Sequence, residues 1–388
     1  MLINYTVSGY KVFSSKADFT MLGDKKFKNK NFVFEIDNKE ILKSSIIYGP
    51  NNTGKSTFIE SIALLKEIVD KEIVDKNILN DEAIYNFSLP EKIINYSIEF
   101  MFDSLTFSYD LSFKYNFGIV EEKLLINNKL IFDRNGYSKF PTDTFKDYND
   151  KLIVCFMPND YKEYTDIFKK FFDSLLIMTN DNTDIFINEV YDYLKNSSKK
   201  ERERFNKIIK LADISLDSVE LFDYQNEPKS LNLISRYNIN NKKYAYFTFF
   251  SDSNGTKKFM KYLVRILNVL KNGGIVIIDE IDSSLHTLLT KSIINVFNNT
   301  SNHKAQLITT SHDLLLLDAK YLFRKDQIWF TYKDDKDVYF YCLNDFKSNS
   351  DEGIRNNLLK SYLKGMFGAL PHPDIESEFY GKDTNTKD

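Results

Sequence analysis

The sequence predicts an α/β protein with a mixed core sheet, an antiparallel aromatic-faced sheet and a helical insert. Three observations lead there. Short strand-like runs with apolar centres, at residues 45–48, 275–278 and 306–310, are set among segments of helical period, the signature of parallel strands covered on both faces. From Leu105 to Phe117 apolar and polar residues alternate strictly: Leu105, Phe107, Tyr109, Leu111, Phe113, Tyr115 and Phe117 interleave with Thr106, Ser108, Asp110, Ser112, Lys114 and Asn116. Period two is that of a strand with one apolar face. Residues 160–235 read as mostly helical, with a charged stretch at Lys199, Lys200, Glu201, Arg202, Glu203 and Arg204 but no sustained heptads. A long coiled coil is thereby excluded.

Composition fits a folded protein of two or three domain-sized units. The chain has 388 residues, 43% hydrophobic and 28% charged, a balance that buries a core rather than leaving a disordered chain. With 33 Phe and 24 Tyr against 13 Gly and 7 Pro, fibrous, collagen-like and low-complexity readings fall away. The net charge of −3 means that contact with nucleic acid would need a local patch or a partner subunit. The start of the chain lacks a basic-then-apolar leader, and no window approaches the roughly 18 apolar residues of a membrane span; a soluble cytoplasmic protein is expected. Cys155 and Cys342 lie in apolar surroundings and the four histidines (His286, His303, His312, His372) are scattered, so reduced thiols and no zinc site are expected.

Element by element, residues 1–48 carry strand-like stretches, with Lys25, Lys26, Lys28 and Lys30 in a solvated basic turn. The strand at 45–48 runs straight into Gly49. From Ser56 the period changes: Phe58, Ile62, Leu65, Val69 and Ile73 mark one face of a helix. Its end contains Lys66-Glu67-Ile68-Val69-Asp70 followed by the same five residues at 71–75, which reads as an exposed, charge-laced helix extension. The thirteen alternating residues at 105–117 are too many for one ordinary strand and imply a bent strand or a tight hairpin. Asn127-Asn128 and Asn135-Gly136 mark turns, and residues 151–157 read as a further buried strand. Helical period returns at 256–271, before the strand at 275–278; Leu285, Leu288, Leu289, Ile293, Val296 and Phe297 then give a helix before the strand at 306–310. The expected division is 1–155 and 236–345 as two parts of one head, 156–235 as the helical insert, and 346–388 as a C-terminal helix and tail.

Gly49, Pro50, Asn51, Asn52, Thr53, Gly54, Lys55 and Ser56, followed by Thr57, form a complete phosphate-binding loop pattern. Its glycines let successive N–H groups converge on one phosphate at a helix N-terminus; Lys55 would reach the β- and γ-phosphates, and Ser56 would offer its hydroxyl to Mg²⁺. Asp279 and Glu280 end a buried apolar strand, an expensive place for two carboxylates unless a metal or substrate uses them. Asp279 would hold Mg²⁺ and Glu280 would orient or deprotonate the attacking water. His312 follows the next strand, in Thr309-Thr310-Ser311-His312-Asp313, where it could donate to the γ-phosphate. His286 reads equally as a capping, interface or catalytic residue.

The order phosphate loop, Asp-Glu strand, Ser-His strand resembles that of ABC-type ATPase heads of the SMC-like branch. Asp252-Ser253-Asn254-Gly255-Thr256-Lys257 stands where those heads carry a signature loop and looks like the variant of small bacterial AAA family ATPases of the RloA and abortive-infection AbiL type. The segments 279–286 and 362–371 are similar to the same group. The resemblance covers roughly 1–135 and 245–371. It implies a head-to-tail dimer with ATP and Mg²⁺ sandwiched, Ser253, Gly255 and Thr256 of one subunit closing over the nucleotide held by Lys55 of the other. It also implies a partner effector, a Toprim (RloB-like) nuclease, in antiphage defence by abortive infection. The rival is a DNA-repair or DNA-clamp ATPase in possible contact with DNA; transport and a nucleotide-binding scaffold without turnover are further alternatives. One departure stands out: the family's glutamine loop has no counterpart, since the only glutamines are Gln225, Gln306 and Gln327. Either an Asn or Asp near 158–160 replaces it, or metal coordination is incomplete and turnover slow.

Overall fold

A computed structural model describes residues 1–136, 139, 149–179, 183–213, 215–222, 232–240, 243–317, 322–334, 337–346 and 358–368. The chain opens with β1 (Leu2–Ser8), β2 (Ala17–Thr20), the hairpin of β3 (Val33–Ile36) and β4 (Lys39–Leu42), and the buried β5 (Ser44–Tyr48). Helix α1 (Lys55–Lys71) and the short α2 (Lys76–Asn80) precede β6 (Ile93–Phe102), β7 (Leu105–Lys114), β8 (Gly118–Ile126) and β9 (Lys129–Asp133). Next come α3 (Lys162–Asp173), β10 (Leu175–Met178), α4 (Thr183–Asn196), α5 (Lys199–Ala212), β11 (Leu216–Leu221), β12 (Leu233–Asn240) and β13 (Lys243–Thr248). The long α6 (Asn254–Asn272) leads to β14 (Gly274–Ile278), α7 (Thr287–Asn298), β15 (Ala305–Thr310), β16 (Ile328–Lys333), β17 (Val338–Cys342) and α8 (Leu358–Leu363).

The core sheet has the order β10-β14-β15-β5-β16-β17, parallel except for β17. Its two faces feed different cores. Ile47, Ile275, Ile277 and Ile308 pack with α1, α3 and the antiparallel sheet β2-β1-β6-β7-β8-β9, while Ile46, Tyr48, Val276, Ile278 and Leu307 pack with α4, α6 and α7. Alternation along a strand thus becomes two apolar layers, which is why β5 and β15 are buried at every position. The aromatic face of the antiparallel sheet is filled by α3: Phe171 stacks on Phe100 with ring centroids 3.7 Å apart, and Phe168 meets Tyr109 edge-on at 4.9 Å. The expected fold class, with its mixed core sheet and antiparallel aromatic sheet, is the one observed. The alternating run at 105–117 resolves as β7 plus a tight turn at 115–117, where Asn116 takes φ 53°, leading into β8.

Two local readings differ from the structure, and a third is refined by it. The first copy of the repeated pentapeptide lies in α1 but the second leaves it after Lys71: Glu72 adopts φ 62°, Ile73 bridges to Lys151, the Val74 N–H donates to the Asp150 carbonyl, and Asp75 caps α2. Identical residues part ways because tertiary pairing outweighs propensity. Residues 151–157 form no strand but a 3₁₀ turn, Ile153–Cys155. Its N–H groups are claimed by the buried Glu122 carboxylate, which accepts from Ile153 at 2.8 Å and Val154 at 3.0 Å. Segment 156–235 carries α3, α4 and α5, yet also β10, an edge strand of the core sheet, with β11 and part of a small three-stranded sheet.

Glu122 is fully buried and also accepts from Tyr109 Oη at 3.1 Å and from Arg134 at 2.9 Å; burial raises its carboxyl above the usual range. Replacing it with Leu strips Arg134 of its carboxylate and orphans two main-chain donors. Glu122→Leu is expected to lower stability by about 3–5 kcal/mol, read as a shift in the urea midpoint, with Glu122→Gln losing less.

Candidate functional site

Strand β5 ends at a turn that requires its glycine: a Cβ on Gly49 would stand 2.2 Å from Thr331 Oγ1 and 2.5 Å from the Thr331 carbonyl on β16. The loop then curls through Asn52 at φ 61° and Gly54 at φ 99°, the left-handed conformation that costs glycine little. Thr53 Oγ1 donates to the Pro50 carbonyl and meets Thr331 Oγ1, both at 2.7 Å, tying the loop to β16. Gly54 caps α1 without a side-chain acceptor, and the first turn holds no acidic residue. The leading N–H groups of α1 are therefore left for an anion, with the helix dipole behind them.

Lys55 is buried, and its Nζ donates to the carbonyls of Gly49 and Pro50, each at 2.8 Å. Burial pulls its pKa down to about 8, against the attraction of Asp279, Glu280 and Asp282. Those carboxylates follow β14. Because β15 lies between β5 and β14, the C-terminal ends of all three strands meet the same space. Asp279 is buried and accepts from Thr310 Oγ1 at 2.6 Å; Glu280, at φ 51°, donates its N–H to the same hydroxyl at 2.7 Å. The His312 N–H is shared by both Asp282 carboxylate oxygens at 3.2 Å, and His312 Nε2 stands 3.9 Å from Glu280 Oε1. Burial first and Lys55 second lower the His312 pKa, so the ring favours the neutral form.

The structure thus brings Lys55, Asp279, Glu280 and His312 together. The signature segment adjoins the carboxylate side of the site: among the described residues no hydrogen bond joins Ser253, Gly255 or Thr256 to residues 49–56 of the same chain, but Lys258 on the same helix is within electrostatic reach of Glu280, Asp282 and Asp279. Ser253 caps α6, accepting from the Thr256 N–H at 3.1 Å, and Thr256 Oγ1 donates to Asp213 at 3.0 Å. A Cβ on Gly255 would lie 2.7 Å from the Ser284 carbonyl, so the segment packs on the chain leaving Glu280. Asp252 accepts from Ser235 and Tyr237, and burial raises its carboxyl. His286 caps α7, its Nδ1 accepting from the Leu288 N–H at 3.2 Å.

Sequence reasoning passed over Asp282, Thr310 and Thr331. Asp282 was legible one turn past Asp279; Thr310 and Thr331 act through strand order, which leaves no local signal. The described glutamines are core braces: Gln306 bonds the main chain of Leu2 and Leu42, and Gln327 that of Ser44 and Arg324. Gln225 lies outside the described residues. Asn159 and Asp160 sit in a 3₁₀ turn before α3. Among the described residues no three His, Cys, Asp or Glu side chains cluster as a metal site, and no helix is long and apolar enough to cross a membrane.

Residues 44–318 match the family described as "AAA domain, putative AbiEii toxin, Type IV TA system". No protein of curated function matches the sequence. Similar solved structures include an SMC head domain from Thermotoga maritima (14% identity, 88% of this chain and 98% of that one, TM-score 0.45). Another is an Smc head bound to the C-terminal winged-helix domain of ScpA (12%, 88% and 97%, 0.48). A third is an Smc head with an extended coiled coil bound to the C-terminal domain of ScpA, derived from Pyrococcus furiosus (13%, 88% and 96%, 0.47). The family match runs from β5 through the phosphate loop and the Asp-Glu strand to the Ser-His strand, so the chain belongs to this family of AAA domains.

Proposed function

We propose that the chain binds ATP with Mg²⁺ and hydrolyses it, and that its ATP state controls a partner effector in antiphage abortive infection. The convergence of Lys55, Asp279, Glu280 and His312 at the C-terminal ends of β5, β14 and β15 carries this reading. The uncapped, acid-free start of α1 suits a triphosphate. Gly49, Pro50, Asn51, Asn52, Thr53, Gly54, Lys55, Ser56 and Thr57 would cradle it, with Lys55 as the charge on the β- and γ-phosphates. The oxygen donors of Ser56 and Asp279 suit Mg²⁺, which takes most of its remaining ligands from water and phosphate. When bound, the metal would neutralise charge developing on the phosphates. Glu280, partly exposed, would take the proton of the attacking water, and His312 would donate to the γ-phosphate and register its loss.

Ser253, Gly255 and Thr256 would act on the nucleotide of a second copy in a head-to-tail dimer. The support is the resemblance of this segment to a signature loop, with Ser253 and Asn254 exposed at the start of α6. For the effector step, the support is the family's printed description, "putative AbiEii toxin, Type IV TA system". The effector is proposed to be a Toprim nuclease encoded nearby, contacted through 156–235 or 346–388. Asn159 or Asp160 is proposed to replace the missing glutamine.

Two experiments test the reading. Glu280→Gln should lower ATP turnover by about 10²-fold or more while ATP still binds, and should abolish protection in a phage plating assay with the native neighbouring gene. Unchanged turnover would remove Glu280 from the chemistry. The second uses pH. With Lys55 titrating near 8 in the free protein and needed as a cation on the phosphates, binding above that pH must take up a proton. The ATP dissociation constant should rise by up to about tenfold per pH unit from 8 to 9.5, and Lys55→Ala should show weak binding without that slope. Flat wild-type affinity over this range would contradict the assignment.

A further inference from the structure

Thr310 lies in the His312 motif without a role assigned to it there, yet it touches both carboxylate residues. It is the last residue of β15 and fully buried. Its hydroxyl has a single proton. The hydroxyl donates it to Asp279 Oδ1 at 2.6 Å, and its lone pair receives the Glu280 N–H at 2.7 Å. Its carbonyl accepts the Ile281 N–H at 3.1 Å. One residue thus fixes three successive positions of the turn after β14.

That turn needs fixing. In an extended strand, neighbouring side chains point to opposite faces, so Asp279 and Glu280 could not both serve one site if β14 simply continued. The chain breaks the alternation at Glu280, which adopts φ 51°, a conformation disfavoured for a residue with a Cβ and kept only where surroundings impose it. The two bonds from Thr310 impose it. Thr310 is also in register with Ile47 of β5, two residues before Gly49. The residue that sets the carboxylates therefore sits on the strand that links them to the phosphate loop.

We infer that Thr310 is a positioning residue: its hydroxyl sets the rotation of Asp279 and the left-handed turn at Glu280, and thereby places the water-activating carboxylate and the metal-binding one. This rests on the hydrolytic reading above. Thr310→Val keeps shape and removes the hydroxyl; Thr310→Ser keeps the hydroxyl. With the folded state of each checked by circular dichroism, the Val variant should lose about 10²-fold in kcat with KM for ATP within about threefold. In a fluorescent-ATP binding titration it should need more Mg²⁺ for half-saturation, and Ser should restore both readouts to within about threefold of wild type. If Val does not fold, Thr310→Ala carries the same comparison. Turnover lost in Glu280→Gln but intact in Thr310→Val, with unchanged Mg²⁺ dependence, would overturn this inference alone. A Ser variant as impaired as Val would also overturn it, because the hydroxyl would not be the cause. Absence of turnover in the wild type would overturn both readings.

Discussion

Strand β15 is inserted between β5 and β14 in a parallel sheet, and the site exists because of that pairing. Parallel strands end on the same side, so the phosphate loop, the Asp-Glu turn and the Ser-His turn open toward one space although they lie far apart in sequence. The pairing is held by main-chain ladders and by burial on both faces, with the isoleucines of β5, β14 and β15 divided between two cores. Any change that moved β15 by one residue would turn those side chains to the wrong layer and separate Thr310 from Asp279. Packing and chemistry therefore depend on one register.

The parts of the site that the sequence made legible are those in which function needs a local residue pattern. Gly49 is required where β16 approaches within van der Waals distance, and Gly54 where the loop turns left-handed; such needs leave a readable spacing. The apolar strands and the alternating run of β7 were legible for the same reason, since period reports burial. Partners brought in by strand order were not. Thr331 braces Thr53 from a strand some 280 residues away in the chain, and Glu122 takes over the backbone of residues 153 and 154, turning an apolar run that reads as strand into a 3₁₀ turn. The repeated pentapeptide makes the point most sharply, because one copy is helix and the other leaves the helix after its first residue.

The electrostatics follow the same arrangement. Lys55 is buried enough to lose much of its preference for charge, while three carboxylates pull in the opposite direction. A bound polyphosphate would supply the missing negative charge at closest range. His312 is held by Asp282 through its main-chain N–H, which leaves the ring facing Glu280 and partly exposed. The signature segment is braced by Asp213 and packs closely, at Gly255, against the carbonyl of Ser284. Since Ser284 follows Glu280 by four residues, a second copy pressing on Gly255 would press on the turn that carries the proposed base.

The claim that the site is completed by a second copy is tested most directly by mixing two inactive variants. Lys55→Ala lacks the phosphate-binding cation, and Ser253→Arg blocks the signature segment. In a mixed dimer, one of the two sites pairs an intact Lys55 with an intact Ser253. The account predicts that ATP turnover, absent in each variant alone, returns on mixing to about a quarter of the wild-type rate. A mixture as inactive as its components, with mixed dimers demonstrated in the sample, would contradict completion of the site in trans.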